Sequence, residues 1–227
     1  MILVFDTVSR FCICGLYQGE TCLARLCEDL GKGHGEHLID QMRALLHQTG
    51  MDKTMISHIG VCTGPGSFTG MRIGVATARA LALSLNVGAV GVSRFEALYC
   101  AMQQKFEQGK NCTVILPGPQ DKFFVQFFNA HGVALDLPHQ ATIEEIAAQK
   151  PQLILSSQDD RETIIAALKG CNFIDFEILT FDRQTEFDAL ASIITAMKLD
   201  GKGAQQSRPS PLYMRAPDAK LQTPLNL

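Results

Sequence analysis

The sequence has no apolar run long enough to cross a bilayer, which takes about 20 residues. The longest candidate, 80–92, is shorter and is interrupted by Ser84, Asn86 and glycine. No basic leader precedes Met1-Ile2-Leu3-Val4-Phe5-Asp6, which reads as a first strand rather than a signal peptide. No membrane association and a cytoplasmic location are therefore expected. Charge of either sign is scarce: 20 Lys and Arg stand against 23 Asp and Glu, a net charge of -3, with no basic block. A protein that grips nucleic acid unaided needs a stronger positive footprint. The eight cysteines never form a Cys-x-x-Cys pair. They read as small buried hydrophobes in a reducing compartment rather than as a zinc knuckle built on Cys12, Cys14, Cys22 and Cys27. Also missing are a G-x-G-x-x-G fingerprint, a Walker lysine, an adjacent pair of glycines and an H-E-x-x-H helix. Dinucleotide, P-loop and zincin chemistry each lose their signature.

What is present is a foldable chain of 227 residues, 46% hydrophobic and 19% charged, enough for one large domain or two small lobes. Residues 2–7, 11–17 and 21–28 read as a three-stranded meander separated by turn signals. A helix from Glu36 to about Gln48 follows, with Leu38, Met42, Leu45 and Leu46 at helical spacing. Then come a strand at 59–63, an alanine-rich helix from about Gly70 to Leu85, a strand at 89–92, and a helix through Gln104 opened by a Ser93/Glu96 capping box. The order then recurs. Strands are expected at 113–116, 123–129 and 132–137, a helix capped by Thr142 and Glu145, and a strand at 152–155. A helix at 159–169, a strand at 173–179 and a last helix to Lys198 capped by Thr185 and Asp188 complete the series.

Three strands before the first helix do not make a dinucleotide fold. The order resembles, by analogy of fold alone, the duplicated lobe of the actin-like and sugar-kinase-like (ASKHA) superfamily. The predicted class is a two-lobed α/β fold: a complete N-terminal lobe at 1–108, a reduced C-terminal lobe at 109–200 and an extended tail at 201–227.

The segment Gly64-Pro-Gly66-Ser67-Phe-Thr69-Gly70 is the most informative in the chain. Ser67 or Thr69 can accept from the free amides of the helix that follows, and the turn could also hold an anion, although the P-loop lysine is absent. The small residues Gly74, Ala76, Ala78, Ala80 and Ala82 either pack the helix tightly on its own sheet or offer a face to another helix. Asp6 and Thr7 end the first strand and either satisfy a turn or mark a metal or phosphate position. His34, Glu36 and His37 suit a helix start better than a metal site. Ser67 has no G-x-S-x-G elbow around it and no histidine to serve it.

The run from Val61 to Ala82 closely resembles the signature of the TsaB (YeaZ) family of the bacterial tRNA threonylcarbamoyladenosine system. The opening Ile2–Thr7, His34-Gly-Glu36-His37-Leu38, Gly91–Leu98 and Pro211-Leu-Tyr213-Met-Arg215 agree with it. The segment Gly118-Pro-Gln-Asp-Lys-Phe-Phe-Val125 departs from it, where the family has Asp-Ala-Arg followed by a Gly-Glu-Val-Tyr strand.

The resemblance implies a non-catalytic subunit that pairs with TsaD as a heterodimer and works with the ATPase TsaE. Together they transfer threonylcarbamoyl, from an adenylate made by TsaC or its homologue, to N6 of adenosine 37 in tRNAs reading codons that begin with A. TsaD's metal-binding His-x-x-x-His falls here on Arg94 and Leu98. No cofactor is expected on this chain alone; ATP and a divalent metal would belong to the partner subunits, and tRNA would be met mainly through the complex. Met42, Leu46, Arg72, Ala76, Arg79, Ala80 and Leu83 are the expected docking residues, with homodimerisation through the same surface when the partner is missing. The alternative is a free-standing ATP-dependent phosphotransferase or metallopeptidase-like enzyme.

Overall fold

A computed structural model describes residues 1–31, 33–105, 111–131, 133–199 and 208–214. Strands β1 (Ile2–Asp6), β2 (Phe11–Gln18) and β3 (Thr21–Asp29) form the antiparallel meander. Helix α1 (His34–Thr49), β4 (His58–Cys62), α2 (Phe68–Leu85), β5 (Gly88–Val92) and α3 (Arg94–Lys105) complete the first series. Its sheet runs β3-β2-β1-β4-β5, with β1, β4 and β5 parallel. Every residue of β1 is buried, as expected of a central strand covered on both faces. The edge strand β3 is mostly exposed or half-buried.

The second series repeats this order, with β7, β8, α4 and α5 shorter than their counterparts: β6 (Cys112–Pro117), β7 (Phe123–Phe128), β8 (His139–Ala141), α4 (Ile143–Ala148), β9 (Leu153–Ser157), α5 (Arg161–Gly170), β10 (Glu177–Phe181) and α6 (Arg183–Leu199). Read in the matching direction, its sheet is β8-β7-β6-β9-β10. The family-divergent segment is the β6–β7 hairpin turn, with Gln120 and Asp121 both left-handed at φ 58° and 56°. Two consecutive left-handed residues make the tight reversal at the tip of this five-residue connection, closed by the Lys122 amide on the Pro119 carbonyl.

The last helix of each series packs on the other lobe. Phe95, Leu98, Tyr99 and Met102 of α3 share a core with Val114, Leu116, Leu155 and Phe181 of the second sheet. Phe187, Leu190, Ala191 and Ile194 of α6 lie against Ile2, Val4, Ile13, Val90 and Val92 of the first. Each large side chain so buried contributes about 1.5–3 kcal/mol. The lobes therefore hold one another together.

Several expectations are corrected. The third strand of the second lobe is not 132–137, of which Gly132 lies outside the described residues. Ala134 makes one isolated bridge to Phe128, and the strand is β8. The last strand begins at Glu177, not Phe173. Asp182 rather than Thr185 caps α6, its Oδ1 accepting from the Thr185 amide at 2.7 Å, while Asp188 accepts from Tyr17 Oη and Arg25. The capping boxes at Ser93/Glu96 and Thr142/Glu145 both form. Cys12, Cys14, Cys62 and Cys112 are buried, but Cys22 and Cys27 are exposed, because they sit on the edge strand. The first-lobe boundary near 108 and most of the tail fall outside the described residues.

Candidate functional site

The glycine-rich turn is packed against the end of β1. A side chain at Gly66 or Gly70 would run into the backbone carbonyls of Val8 and Thr7, so only glycine lets the two segments touch. Thr7 Oγ1 donates to the Gly70 carbonyl at 2.7 Å, and the Ser67 amide donates to the Val8 carbonyl at 2.7 Å. Ser67 caps α2, its hydroxyl accepting from the Gly70 amide at 3.1 Å; Thr69 lies within the helix instead. Gly64 takes a left-handed φ of 102°, and its carbonyl accepts from the Arg94 amide. Two of the amides at this turn, those of Ser67 and Gly70, are thus engaged internally.

Asp6 is buried between the lobes. Its Oδ1 accepts from the Val8 amide at 2.8 Å, as the turn reading of this residue expects. Burial pushes its carboxyl pKa up, against the lowering effect of the Val8 bond. Nearby, Arg94 Nε donates to Glu186 at 2.6 Å and a terminal nitrogen to the other carboxylate oxygen at 3.3 Å. Arg183 reaches the same carboxylate at 3.0 Å and Asp159 at 3.4 Å, and Asp160 lies 4.0 Å from Arg94. Burial works to raise the Glu186 pKa, but the guanidiniums of Arg94 and Arg183 outweigh it and hold the group below the usual range. Burial raises Asp160, with Arg94 opposing.

Leu98 is fully buried in the core. Among the described residues no group of three His, Cys, Asp or Glu side chains converges to hold a metal. At the start of α1, Gly33 is the cap, Glu36 lies in the first turn, and His37 sits 3.4 Å from Glu28.

The outward face of α2 carries most of the docking residues nominated from sequence. Arg72, Ala76, Arg79, Ala80 and Leu83 are all exposed, Leu83 to 85%, and Phe68 joins them at 53%. The inward face holds Met71, Gly74, Val75 and Ala78. Met42 and Leu46 do not belong to this surface. Met42 is 6% exposed, and Leu46 is half-buried against the same core, because the apolar periodicity of α1 marks its inward face.

Part of the tail lies on α2. Arg79 Nε donates to the Pro209 carbonyl at 2.8 Å and Arg72 Nε to Tyr213 Oη at 2.9 Å. The Tyr213 and Phe68 rings lie 5.4 Å apart, and the Arg72 guanidinium sits 3.9 Å from the Phe68 centroid. The Leu212 amide donates to the Thr63 carbonyl, while Leu212 and Met214 pack against the core under α3. A cleft of about 460 Å³ opens beside this segment, between Thr63, Ser93 and Glu96 of one lobe and Gln126, Phe128 and Pro138 of the other.

Glu186, Arg183, Asp159 and Pro209 had no flag in the sequence: Arg183 and Glu186 are neighbours on α6, but Glu186 meets Arg94, Asp159 meets Arg183 and Pro209 meets Arg79 across 92, 24 and 130 residues. The Pro-Leu-Tyr motif near the end did signal the tail, although not where it docks.

Two lobes of one topology, each packing its last helix on the other, make an ASKHA-type fold. Two solved structures share that fold. A Pseudomonas aeruginosa protein described as similar to the peptidase YeaZ aligns over 94% of this chain and 99% of its own, at TM-score 0.71 and 17% identity. A putative N-acetylmannosamine kinase from Listeria monocytogenes aligns over 89% and 99%, at TM-score 0.51 and 11% identity. The chain belongs to the family described as TsaD, tRNA N6-adenosine threonylcarbamoyltransferase, whose model matches residues 27–150, more than half of it. Within that family it is similar to TsaB. The Bacillus subtilis tRNA threonylcarbamoyladenosine biosynthesis protein TsaB is 36% identical over 97 residues, 43% of this chain and 42% of that protein. The match thus spans about two fifths of the curated relative's length. Among the described residues no helix is long and apolar enough to cross a membrane.

Proposed function

We propose that this chain is the docking subunit of a tRNA threonylcarbamoyladenosine-forming complex, pairing with TsaD, cooperating with TsaE and carrying out no group transfer itself. The observation that supports this reading best is the exposed strip Phe68–Arg72–Ala76–Ala80–Leu83 on α2. Small side chains let a second helix approach closely, and the apolar ends supply area to bury. The interlobe charges favour the same reading. Where TsaD places a metal-binding histidine, Arg94 supplies a fixed positive charge already committed to Glu186. Phosphoryl transfer needs metal bridging and cationic clamps on the moving group. Both arginines here are tied to carboxylates of the chain itself. ATP and divalent metal would act in the partner subunits, and tRNA would be met through the assembled complex.

The test is reconstitution of tRNA modification from purified TsaC, TsaD, TsaE and tRNA, with and without this chain. Modification that depends on the chain, together with a one-to-one complex with TsaD, is the expected outcome. Full modification without it, or cleavage of ATP or peptide by the chain alone, would overturn the reading.

A further inference from the structure

The two arginines on the outward face of α2 are held in the same way. Each uses its Nε, Arg72 toward Tyr213 Oη and Arg79 toward the Pro209 carbonyl. Among the described residues no hydrogen bond or ion pair engages the terminal nitrogens of either group. A guanidinium whose Nε is fixed retains a planar pair of terminal donors suited to a carboxylate. Its orientation costs less entropy on binding because the side chain is already ordered. The Phe68 ring under Arg72 and the Tyr213 ring beside it restrict that group further.

Helix α2 carries no Asp or Glu anywhere along its length, so nothing on it competes for these donors. Seven residues separate the arginines, about two turns or roughly 10 Å along the axis. Ala76 lies between them, and Ala80 and Leu83 extend the strip.

We infer that the segment Pro209–Tyr213 is a strap that sets Arg72 and Arg79 as two carboxylate receptors on the docking face. The surface they fit is a partner helix bearing acidic side chains two turns apart, with small or apolar residues between. This rests on the docking reading of α2 and adds to it the chemistry of the partner and a role for the tail. The strap also spans the lobes, since Leu212 and Met214 pack on the core beneath α3. The positions of the arginines are thereby referred to the body of the protein and not to α2 alone.

The experiment is titration of the full chain into purified TsaD at low and at elevated salt, with thermal unfolding of each variant alongside. Arg72→Gln and Arg79→Gln should each weaken binding about threefold, and the double variant about tenfold. The double variant should also lose most of the salt dependence. Tyr213→Phe removes only the hydroxyl that Arg72 Nε meets and should weaken binding about twofold. Ala80→Arg, on the exposed strip, should abolish it. All five variants should keep the wild-type melting temperature. If the double glutamine variant binds with wild-type affinity and salt dependence while Ala80→Arg fails to bind, the receptor role is wrong and the docking face stands. If Ala80→Arg binds normally, or the wild-type chain does not bind TsaD, both fall.

Discussion

The two lobes share one topology and differ in the length of their parts. In the first, β3 has nine residues, α1 sixteen and α2 eighteen; in the second, β8 has three, α4 six and α5 ten. The strand order is nevertheless identical, so pairing order survives the shortening of the outer strand and of the first two helices. Length decides what each lobe can offer a partner. Helix α2 buries one face on the sheet and exposes a strip from Phe68 to Leu83, about four turns long. Helix α5 buries Ile164 and Leu168 and has little apolar surface left over.

The exchange of terminal helices makes the lobes mutually dependent, and a large cavity tests this most severely. Phe187→Ala, in α6 yet in the core of the first lobe, should cost about 3–5 kcal/mol. Calorimetry should still show one transition; two separate transitions would mean that the lobes fold apart. Next in size is the buried ion network. Arg94→Met leaves Glu186 with Arg183 alone and should cost about 3 kcal/mol, whereas adding Glu186→Leu should restore at least half of that loss. A double variant less stable than the single in denaturant titration would contradict the desolvation argument.

One side-chain helix cap from each lobe compares them at a finer scale. Ser67→Ala and Thr142→Ala should each cost about 1 kcal/mol in chemical denaturation. A much smaller effect at Thr142 would show that α4 is held by tertiary contacts and not by its cap.

The smallest effect is electrostatic. Asp6 has a raised pKa in the folded state, so its ionised form destabilises the fold at neutral pH, and the penalty lifts as pH falls through that raised value. Glu186 has the opposite sign, its contribution being present above the unfolded pKa and lost as pH falls through its depressed folded value. Asp6→Asn should therefore raise the melting temperature slightly at pH 7, and the gain should shrink toward pH 4. A gain that stayed constant across this range would show that Asp6 is not the titrating group.

Much of the site was legible from the residues, and the exceptions have physical causes. The Ser67 cap, the Asp6 turn and the boxes at Ser93 and Thr142 rest on contacts within three residues, and these formed as expected. Met42 was misplaced because a periodic apolar stripe tells which residues share a face, and on α1 that face is the core. The alanines of α2 gave no direction, since alanine is compatible with either side of a helix. The cap of α6 was assigned three residues late because Thr185 and Asp182 are both competent first-turn partners, and only the backbone path selects between them.

Element order, the repeated lobe and family membership were set by local chemistry: strand and helix periodicity, caps, and glycines where two backbones must touch. The outward strip of α2, the Arg94–Glu186 pair and the seating of Pro209 and Tyr213 on Arg79 and Arg72 were decided only when the chain closed on itself. Those partners lie 92, 130 and 141 residues apart. No local pattern specifies such meetings, because they depend on how two sheets, two exchanged helices and the tail pack in three dimensions.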